Sequence, residues 1–521
     1  MSDEPTESAE AQPGGGPSPS DGHQAASLRR LAGRSAAYLT SSSAAQLANL
    51  ALFPILTRAL GPAAFGRYAV LLAAVVVGQI LLGLGLNTAL MKETVALDDA
   101  RGRSAAWTAL SFTALLGVAE VLVVTLLGGA FARWLLGSDD AWARLTVTLA
   151  ACTVAVTPLC ELLLALARVS ERPRLFVGAT MTRSYVGLAL AAAFVWLLGW
   201  GVPGAAAAVL CGAAAALVLL LVRLWAQVRG GFSLPDLRRM LHLGVWLVPT
   251  NLGAGLLDAA DRFILAGFMT TTAVGMYAAG YRVGGLAYSL FFVPFHLAYV
   301  PFMLKELEAE RGESMMRRVA VGYATLGMLV TLLVAAAGPA LLRLLAGSAF
   351  SDASQVIPLV ALGTMFLGSV SVVMPGFLWT SRTYIQAALF LLCAAVNIGL
   401  NLVLIPPLGI LGAAAATAAA YFLLVCLAVA ASHRYVHLPL PLRPLAVVTA
   451  AGSAATLGIT AVELATLSPA ADVGARVACV LAFVLVVVLG GSLPPRELGA
   501  MLRAVATRRP AAAPEGPEAA G

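Results

Sequence analysis

Between about residues 36 and 491 the chain is a succession of fourteen apolar runs, each of roughly twenty residues, separated by short polar or basic connections. No other feature restricts the fold as severely. A peptide group inside hydrocarbon has no water to bond, so a run of this length is stable only as a helix that pairs its own backbone. A transmembrane barrel is excluded, because its strands would alternate in segments of about ten residues, and these runs do not alternate. The runs lie at about 36–58, 68–90, 106–130, 146–167, 177–198 and 204–224, then 241–267, 274–300, 319–345, 355–379, 384–405 and 410–431, with two more at 444–464 and 474–491. The predicted fold class is an all-α polytopic membrane protein with about fourteen transmembrane helices.

The scarcity of charge agrees: 11% of the 521 residues are charged and 60% are hydrophobic, against about 25% charged in a soluble domain. The net charge of +7 would suggest nucleic acid in a soluble protein. Its distribution says otherwise. Of the 33 lysines and arginines, twenty-four fall in the loops on the side of the termini and six on the other side (Arg58, Arg67, Arg133, Arg144, Arg343, Arg476). The remaining three, Arg183, Arg262 and Arg282, lie within spans. Basic loops face the cytoplasm, so both termini are expected to be cytoplasmic, and the charge requires no nucleic-acid partner. The composition, rich in Ala, Gly and Arg with two lysines (Lys92, Lys305), suggests a bacterial chain and hence the bacterial plasma membrane. All six cysteines lie in apolar runs with no CxxC pair, as buried free thiols do.

Two blocks of six spans look duplicated. Phe65-Gly66-Arg67-Tyr68-Ala69 returns as Val274-Gly275-Met276-Tyr277-Ala278 at an offset of 209; Gly201 to Ala208 returns as Gly409 to Ala416 at 208; and Arg174 is matched by Arg382, also at 208. A unit with an even number of spans keeps its orientation, so the expectation is two parallel repeats around an axis along the membrane normal, with a path between them. The predicted organisation is a disordered cytoplasmic tail at 1–34, an N-lobe at 35–228, and a C-lobe at 229–436 that begins with an interfacial linker. Two spans outside the repeat follow at 437–504, then a disordered tail at 505–521. In the linker, Phe232, Leu234, Leu237, Met240 and Leu241 are expected to dip into lipid. Gly66 and Gly275 are read as tight turns, and Pro406-Pro407 as the end of span 11.

Three stretches, Leu56 to Ala69, Asp261 to Arg282 and Asn397 to Thr417, resemble the polysaccharide-transporter family of lipid-linked oligosaccharide flippases, within the multidrug/oligosaccharidyl-lipid/polysaccharide exporter superfamily. The resemblance implies two V-shaped lobes that alternate access and a cargo of undecaprenyl-diphosphate-linked oligosaccharide moved from the inner to the outer leaflet. Polysaccharide polymerase or assembly proteins would be its neighbours. A lipid II flippase and a cation-coupled drug antiporter of the same superfamily are the alternatives.

Ionisable groups inside spans are functional candidates. Arg183 and Arg282 are suited to a diphosphate, because a guanidinium fork grips it bidentately and keeps its charge; Asn87 and Asn251 can bond sugar hydroxyls. The bland alternatives are an Arg282 pair with Asp258 or Asp261 and an Arg183 that snorkels to the interface. Asp258, Asp261, Arg262, Glu120 and Glu161 are candidates for a gate or for Na⁺ or H⁺ coupling. No cofactor or metal is expected: His433 and His437 have no third ligand nearby, and no phosphate-binding GxxxxGK[ST] occurs. An enzyme is not expected, since the outer loops are short and Asp139-Asp140 is their only adjacent acidic pair.

Overall fold

The computed structural model describes residues 19–96, 99–296, 299, 303, 312–379, 383–435, 440–465 and 467–490. Among them the chain is helical with no strand. Eleven helical stretches are long and apolar enough to cross a membrane. Two of these, Ala45–Gly83 and Tyr384–Tyr435, each hold two spans, because the helix turns at Gly61 (φ 68°) and at Gly409 (φ 59°). With Thr271–Gly284 and its continuation through Tyr288–Phe292 as span 8, all fourteen predicted spans are present.

The N-lobe comprises spans 1 and 2 (Pro19–Gly83, divided at Gly61), 3 (Asp99–Leu126), 4 (Ala141–Val169), 5 (Pro173–Ala191, extended by a π-turn to Leu197) and 6 (Gly201–Val228). The C-lobe comprises spans 7 (Val248–Phe268), 8, 9 (Gly312–Ala346), 10 (Ile357–Trp379) and 11 and 12 (Thr383–Tyr435, divided at Gly409). Spans 13 (Leu442–Leu464) and 14 (Pro469–Leu489) pack on one another and on span 9. Spans 1 and 2 meet spans 7 and 8 along the seam between lobes.

The repeat seen in sequence is repeated in geometry. Gly201 and Gly409 both adopt a left-handed backbone, at φ 63° and 59°, a conformation that only glycine adopts freely. Gly204 and Gly412, three residues on, each lie so close to the preceding span that a Cβ would meet its carbonyls, those of Phe194 and Leu404. Small residues at these positions let the helix pairs approach where lipid supplies no hydrophobic drive.

Several expectations are corrected. The helix of span 1 starts at Pro19, inside the segment expected to be a structureless tail, because residues 24–39 are mostly Ala, Leu, Arg and Ser and carry the helix outward; residues 1–18, like the C-terminal tail, lie outside the described residues. Span 11 continues through Pro406-Pro407 and turns at Gly409. The turn before span 2 is made by Gly61, while Gly66 sits within the helix and serves a close approach. The linker helix Leu234–Gly244 does not lay its apolar face on lipid: Leu237 and Met240 are buried against the N-lobe, and Phe232 and Leu234 remain exposed. It is fastened there by polar contacts. Ser104 Oγ donates to the Gly231 carbonyl (2.9 Å), the Ser233 N–H donates to Thr108 Oγ1 (2.9 Å), and Arg239 bridges Asp236 and Glu93.

Asp139-Asp140 is architectural. Asp140 caps span 4 by accepting from the Ala143 N–H (2.8 Å), and Asp139 is paired with Arg133 and Arg144. The bond from Arg144, with the charge of both arginines, holds the Asp139 carboxyl below its ordinary range.

Two outcomes follow from these local geometries. A Cβ at Gly61 would meet nothing within 4 Å, while its backbone (φ 68°, ψ 174°) is one that only glycine tolerates. Gly61→Ala should therefore destabilise by about 1–3 kcal/mol through backbone strain alone, read as a lower Tm in detergent; an unchanged Tm would refute the assignment. Arg476, buried between spans 13 and 14, is paired with Glu463 and with Asp472. Arg476→Ala leaves a buried carboxylate unpaired, at a penalty of about 3 kcal/mol. Adding Glu463→Gln should recover part of the loss, and a double variant no more stable than the single would contradict this account.

Candidate functional site

Two connected chambers lie along the seam between the lobes. The first, about 590 Å³, is walled by spans 1, 2, 5 and 6 on one side and by spans 7 and 8 on the other. The second, about 430 Å³, lies between span 1 and spans 7, 8 and 10. Asp258, Arg262 and Arg282 line both chambers, so they stand where the two join.

These side chains converge because helical spacing and the span 7–8 hairpin bring them together. Asp258 and Arg262 are four apart and share one face of span 7. Span 8 returns alongside, placing Tyr281 and Arg282 opposite. The Tyr281 hydroxyl donates to Asp258 Oδ1 at 2.9 Å, and the Arg262 guanidinium sits 4.6 Å from the Tyr281 ring centroid. Asp261 lies behind this surface, fully buried, accepting from the Tyr277 hydroxyl and from the Arg262 N–H at 2.8 Å; Arg262 Nη1 also reaches its carboxylate at 3.4 Å and donates to the Asp258 carbonyl. A buried carboxylate with this many donors orients its arginine. Arg262 is therefore a fixed cation in the cavity wall.

Arg282 is bound differently from the expected alternative. It makes no ion pair with Asp258 or Asp261; its Nη2 donates to the Asn49 carbonyl of span 1 at 3.1 Å, across the seam. One backbone acceptor leaves most of its donors free for a ligand. Arg183 faces the first chamber from the N-lobe and pairs with Glu161 at 3.5 Å, with both side chains about a third exposed (34% and 39%).

The other candidates lie elsewhere. Glu161 sits behind Arg183, and neither it nor Asp261 lines a chamber. Asn87 belongs to the short helix Leu86–Ala96 beyond the end of span 2, where its Oδ1 accepts from the Thr88 N–H at 2.8 Å. Asn251 is exposed in the first turn of span 7, away from both chambers. Glu120 stands on span 3 outside both chambers, its Oε2 buried without a hydrogen-bond partner. Among the described residues no three His, Cys, Asp or Glu side chains cluster as metal ligands; His437 lies outside them.

Apart from Arg183, sequence reasoning overlooked the N-lobe wall. Asn49, Phe53, Leu72 and Ala73 all line the first chamber, and the same offset of 209 carries them to Asp258, Arg262, Tyr281 and Arg282, which line the cavity from the other lobe. Applied to cavity positions as well as to helix starts, the repeat would have located them. The cavity is thus built from equivalent positions in two copies, and within that set the charge sits on one side: the C-lobe has two arginines, a tyrosine and an aspartate where the N-lobe has alanine, phenylalanine, leucine and asparagine, while Arg183 adds a cation from elsewhere on the N-lobe.

The same architecture occurs in solved structures. The chain is similar to a lipid II flippase, MurJ, in an inward closed conformation: 12% identity, TM-score 0.69, covering 89% of this chain and 99% of that one. An inward-facing multidrug resistance transporter of the MATE family matches at 15% identity and TM-score 0.60, covering 75% of this chain and 94% of that one. A transporter of the same superfamily from Pyrococcus furiosus, described as having a binding pocket of reverse polarity, matches at 17% identity and TM-score 0.51, over 76% and 92%. No curated protein matches in sequence. The sequence signature of the polysaccharide biosynthesis protein family spans residues 55–355, more than half of the chain. With twelve of its fourteen spans in two six-span lobes around a central cavity, this multi-pass membrane protein belongs to the polysaccharide biosynthesis protein family and has the fold of the superfamily's flippases and multidrug transporters.

Proposed function

We propose that the protein is a flippase for an undecaprenyl-diphosphate-linked oligosaccharide, moving it from the cytoplasmic to the outer leaflet of a bacterial plasma membrane by alternating access. The observation that carries this reading is the cavity: Arg183 on one lobe and Arg262 and Arg282 on the other face a shared space that opens between spans, in a chain of a polysaccharide biosynthesis family. A diphosphate carries two negative groups close together. Guanidinium forks bind such groups with paired, charge-assisted bonds that persist at any physiological pH. Arg282 has donors to spare, and Arg183 can exchange Glu161 for phosphate at little loss, because an ion pair of this exposure contributes at most about 1 kcal/mol. The asparagine and serine of the first chamber, Asn49 and Ser184, supply partners for sugar hydroxyls.

Family and fold also bear on the alternatives. The lipid II flippase covers 89% of the chain, and the multidrug transporter 75%. Both are likenesses of fold, and the family signature over residues 55–355 is what favours a flippase of lipid-linked glycan over a drug antiporter. In this reading both termini are cytoplasmic, as the bias of the basic loops supports, and polysaccharide polymerase or assembly proteins would receive the cargo outside. In this reading the chain is no enzyme: the one adjacent acidic pair of its outer loops is occupied in a helix cap and an ion pair.

Asp258, exposed to both chambers beside two arginines, is the residue through which we propose coupling to Na⁺ or H⁺. Its carboxylate pairs with neither arginine but offsets the positive charge that an anionic cargo would meet, and a bound cation or proton would remove that offset.

Arg282→Ala should lower export at least tenfold with protein level unchanged, as expected for losing a charge-assisted bond of about 1.5–3 kcal/mol. Arg183→Ala should do the same, and Arg282→Lys should recover only part. Export assayed by surface glycan in a null strain would overturn the cavity assignment if both alanine variants complemented fully. Coupling is checked separately in inverted vesicles: a protonophore or a sodium ionophore should slow lipid-linked glycan uptake, and Asp258→Asn should make uptake insensitive to it. Uptake indifferent to both ionophores would remove the coupling role.

A further inference from the structure

On the face away from the chain termini, the two lobes meet backbone to backbone. A Cβ on Gly66 would collide with the Thr271 carbonyl oxygen and lie 2.8 Å from the Gly275 nitrogen. A Cβ on Gly275 would collide with the Pro62 carbonyl oxygen and lie 3.0 Å from the Gly66 nitrogen. Each glycine therefore rests on the carbonyl four residues before the other. Pro62 and Thr271 are separated by the same 209 residues as Gly66 and Gly275, so the contact is its own image under the rotation that relates the lobes.

Neither glycine is demanded by conformation. Both lie inside helices and neither has a positive φ. What excludes a side chain at each position is the opposite lobe. Nearly one turn further along each helix come Ala69 and Ala278, again 209 apart, and both line the first chamber. The glycine pair is therefore the roof of the cavity. An apolar cluster that crosses the seam surrounds it: Phe65 packs edge-on against Phe350 at 5.9 Å between centroids and against Phe53 at 5.9 Å. On the same face, Arg58 Nη2 donates to the Leu344 carbonyl at 2.8 Å, tying span 1 to span 9.

We propose that Gly66 and Gly275 are the closing contact of the outer gate, and that one missing Cβ on each lobe is what allows the gate to shut. The proposal rests on the alternating-access reading and on the orientation given above. Alanine is a better helix former than glycine, so Gly66→Ala and Gly275→Ala leave each lobe's own helix intact. They act on the fit between lobes: with a methyl group in the seam the first turns of spans 2 and 8 cannot meet, and the outward-open state accumulates.

The test reads accessibility, not export, so it is decided independently of which cargo the cavity takes. A cysteine replacing Leu72, on the cavity wall, is labelled from outside intact cells by a membrane-impermeant maleimide, with the chain lacking this reporter as the blank for the native thiols. Labelling should rise at least fivefold in Gly66→Ala and in Gly275→Ala. It should not change in Gly178→Ala, where an added Cβ meets nothing within 4 Å. Unchanged labelling in both seam variants would overturn the proposal. A second measurement does not depend on how the alanine variants accumulate. Cysteines at Pro62 and Thr271, joined by a short bis-maleimide, should hold the roof shut and reduce labelling at position 72 to the blank. Labelling that persists under complete cross-linking would show that the cavity opens outward somewhere else.

Discussion

A peptide group in hydrocarbon must find its partner within the protein, and that requirement organises the whole chain. It makes every span a helix. It also restricts where a helix can reverse, because each reversal abandons backbone bonds and needs a residue able to leave the helical region. The chain places glycine at these points: Gly61, Gly201 and Gly409 all have positive φ, and each stands between two spans. The same pressure explains the buried polar groups. Asp261 is surrounded by the Tyr277 hydroxyl, its neighbour's N–H and a guanidinium, and Arg476 is held by two acidic residues. At these two sites the buried charge comes with its partners, whereas Glu120 Oε2 on span 3 is buried without one.

The architecture was therefore legible in the sequence to a degree that the cavity was not. Fourteen apolar runs and the offset of 208–209 suffice for the spans, the lobes and the pairing of Gly201 with Gly409. Hydropathy says how many helices there are. It says much less about which side of a helix faces a neighbour, since Leu toward lipid and Leu toward protein look alike. This is why Leu237 and Met240 of the linker, read as lipid-facing, turn out to be buried in the N-lobe. It is also why Asn87 and Asn251 could not be separated from Asn49, the asparagine that does line the first chamber. Arginines were more informative: with a larger burden to satisfy, Arg183, Arg262 and Arg282 all proved to line the cavity.

Glycine carried two different messages that the sequence alone merges. Gly61 is needed for its backbone conformation and has open space around it, whereas Gly66, five residues later, has an ordinary helical backbone and no space at all. The first is a local property of one turn and follows from chain reversal. The second is a property of the interface and becomes visible only when the other lobe is in place. Reading Gly66 as a turn was the natural error of a one-dimensional view, since nothing in the chain itself marks the opposite lobe that excludes a side chain there.

Duplication supplies a cavity with two similar walls, and two similar walls have no preference for one end of an amphipathic cargo. Divergence at Asn49/Asp258, Phe53/Arg262, Leu72/Tyr281 and Ala73/Arg282 provides one, by putting the charge of these four pairs on the C-lobe, opposite the single Arg183 of the N-lobe, while both lobes keep the seam glycine. The two demands fall at different heights on spans 2 and 8. Gly66 and Gly275 must both lack a side chain, because the other lobe's backbone fills that space; Ala73 and Arg282, seven residues on, differ, which puts the cation of that pair on the C-lobe. The two lobes thus combine a symmetric contact at the seam with an asymmetric cavity wall. The spacing of seven residues, nearly two full helical turns, keeps both functions on the same side of one helix.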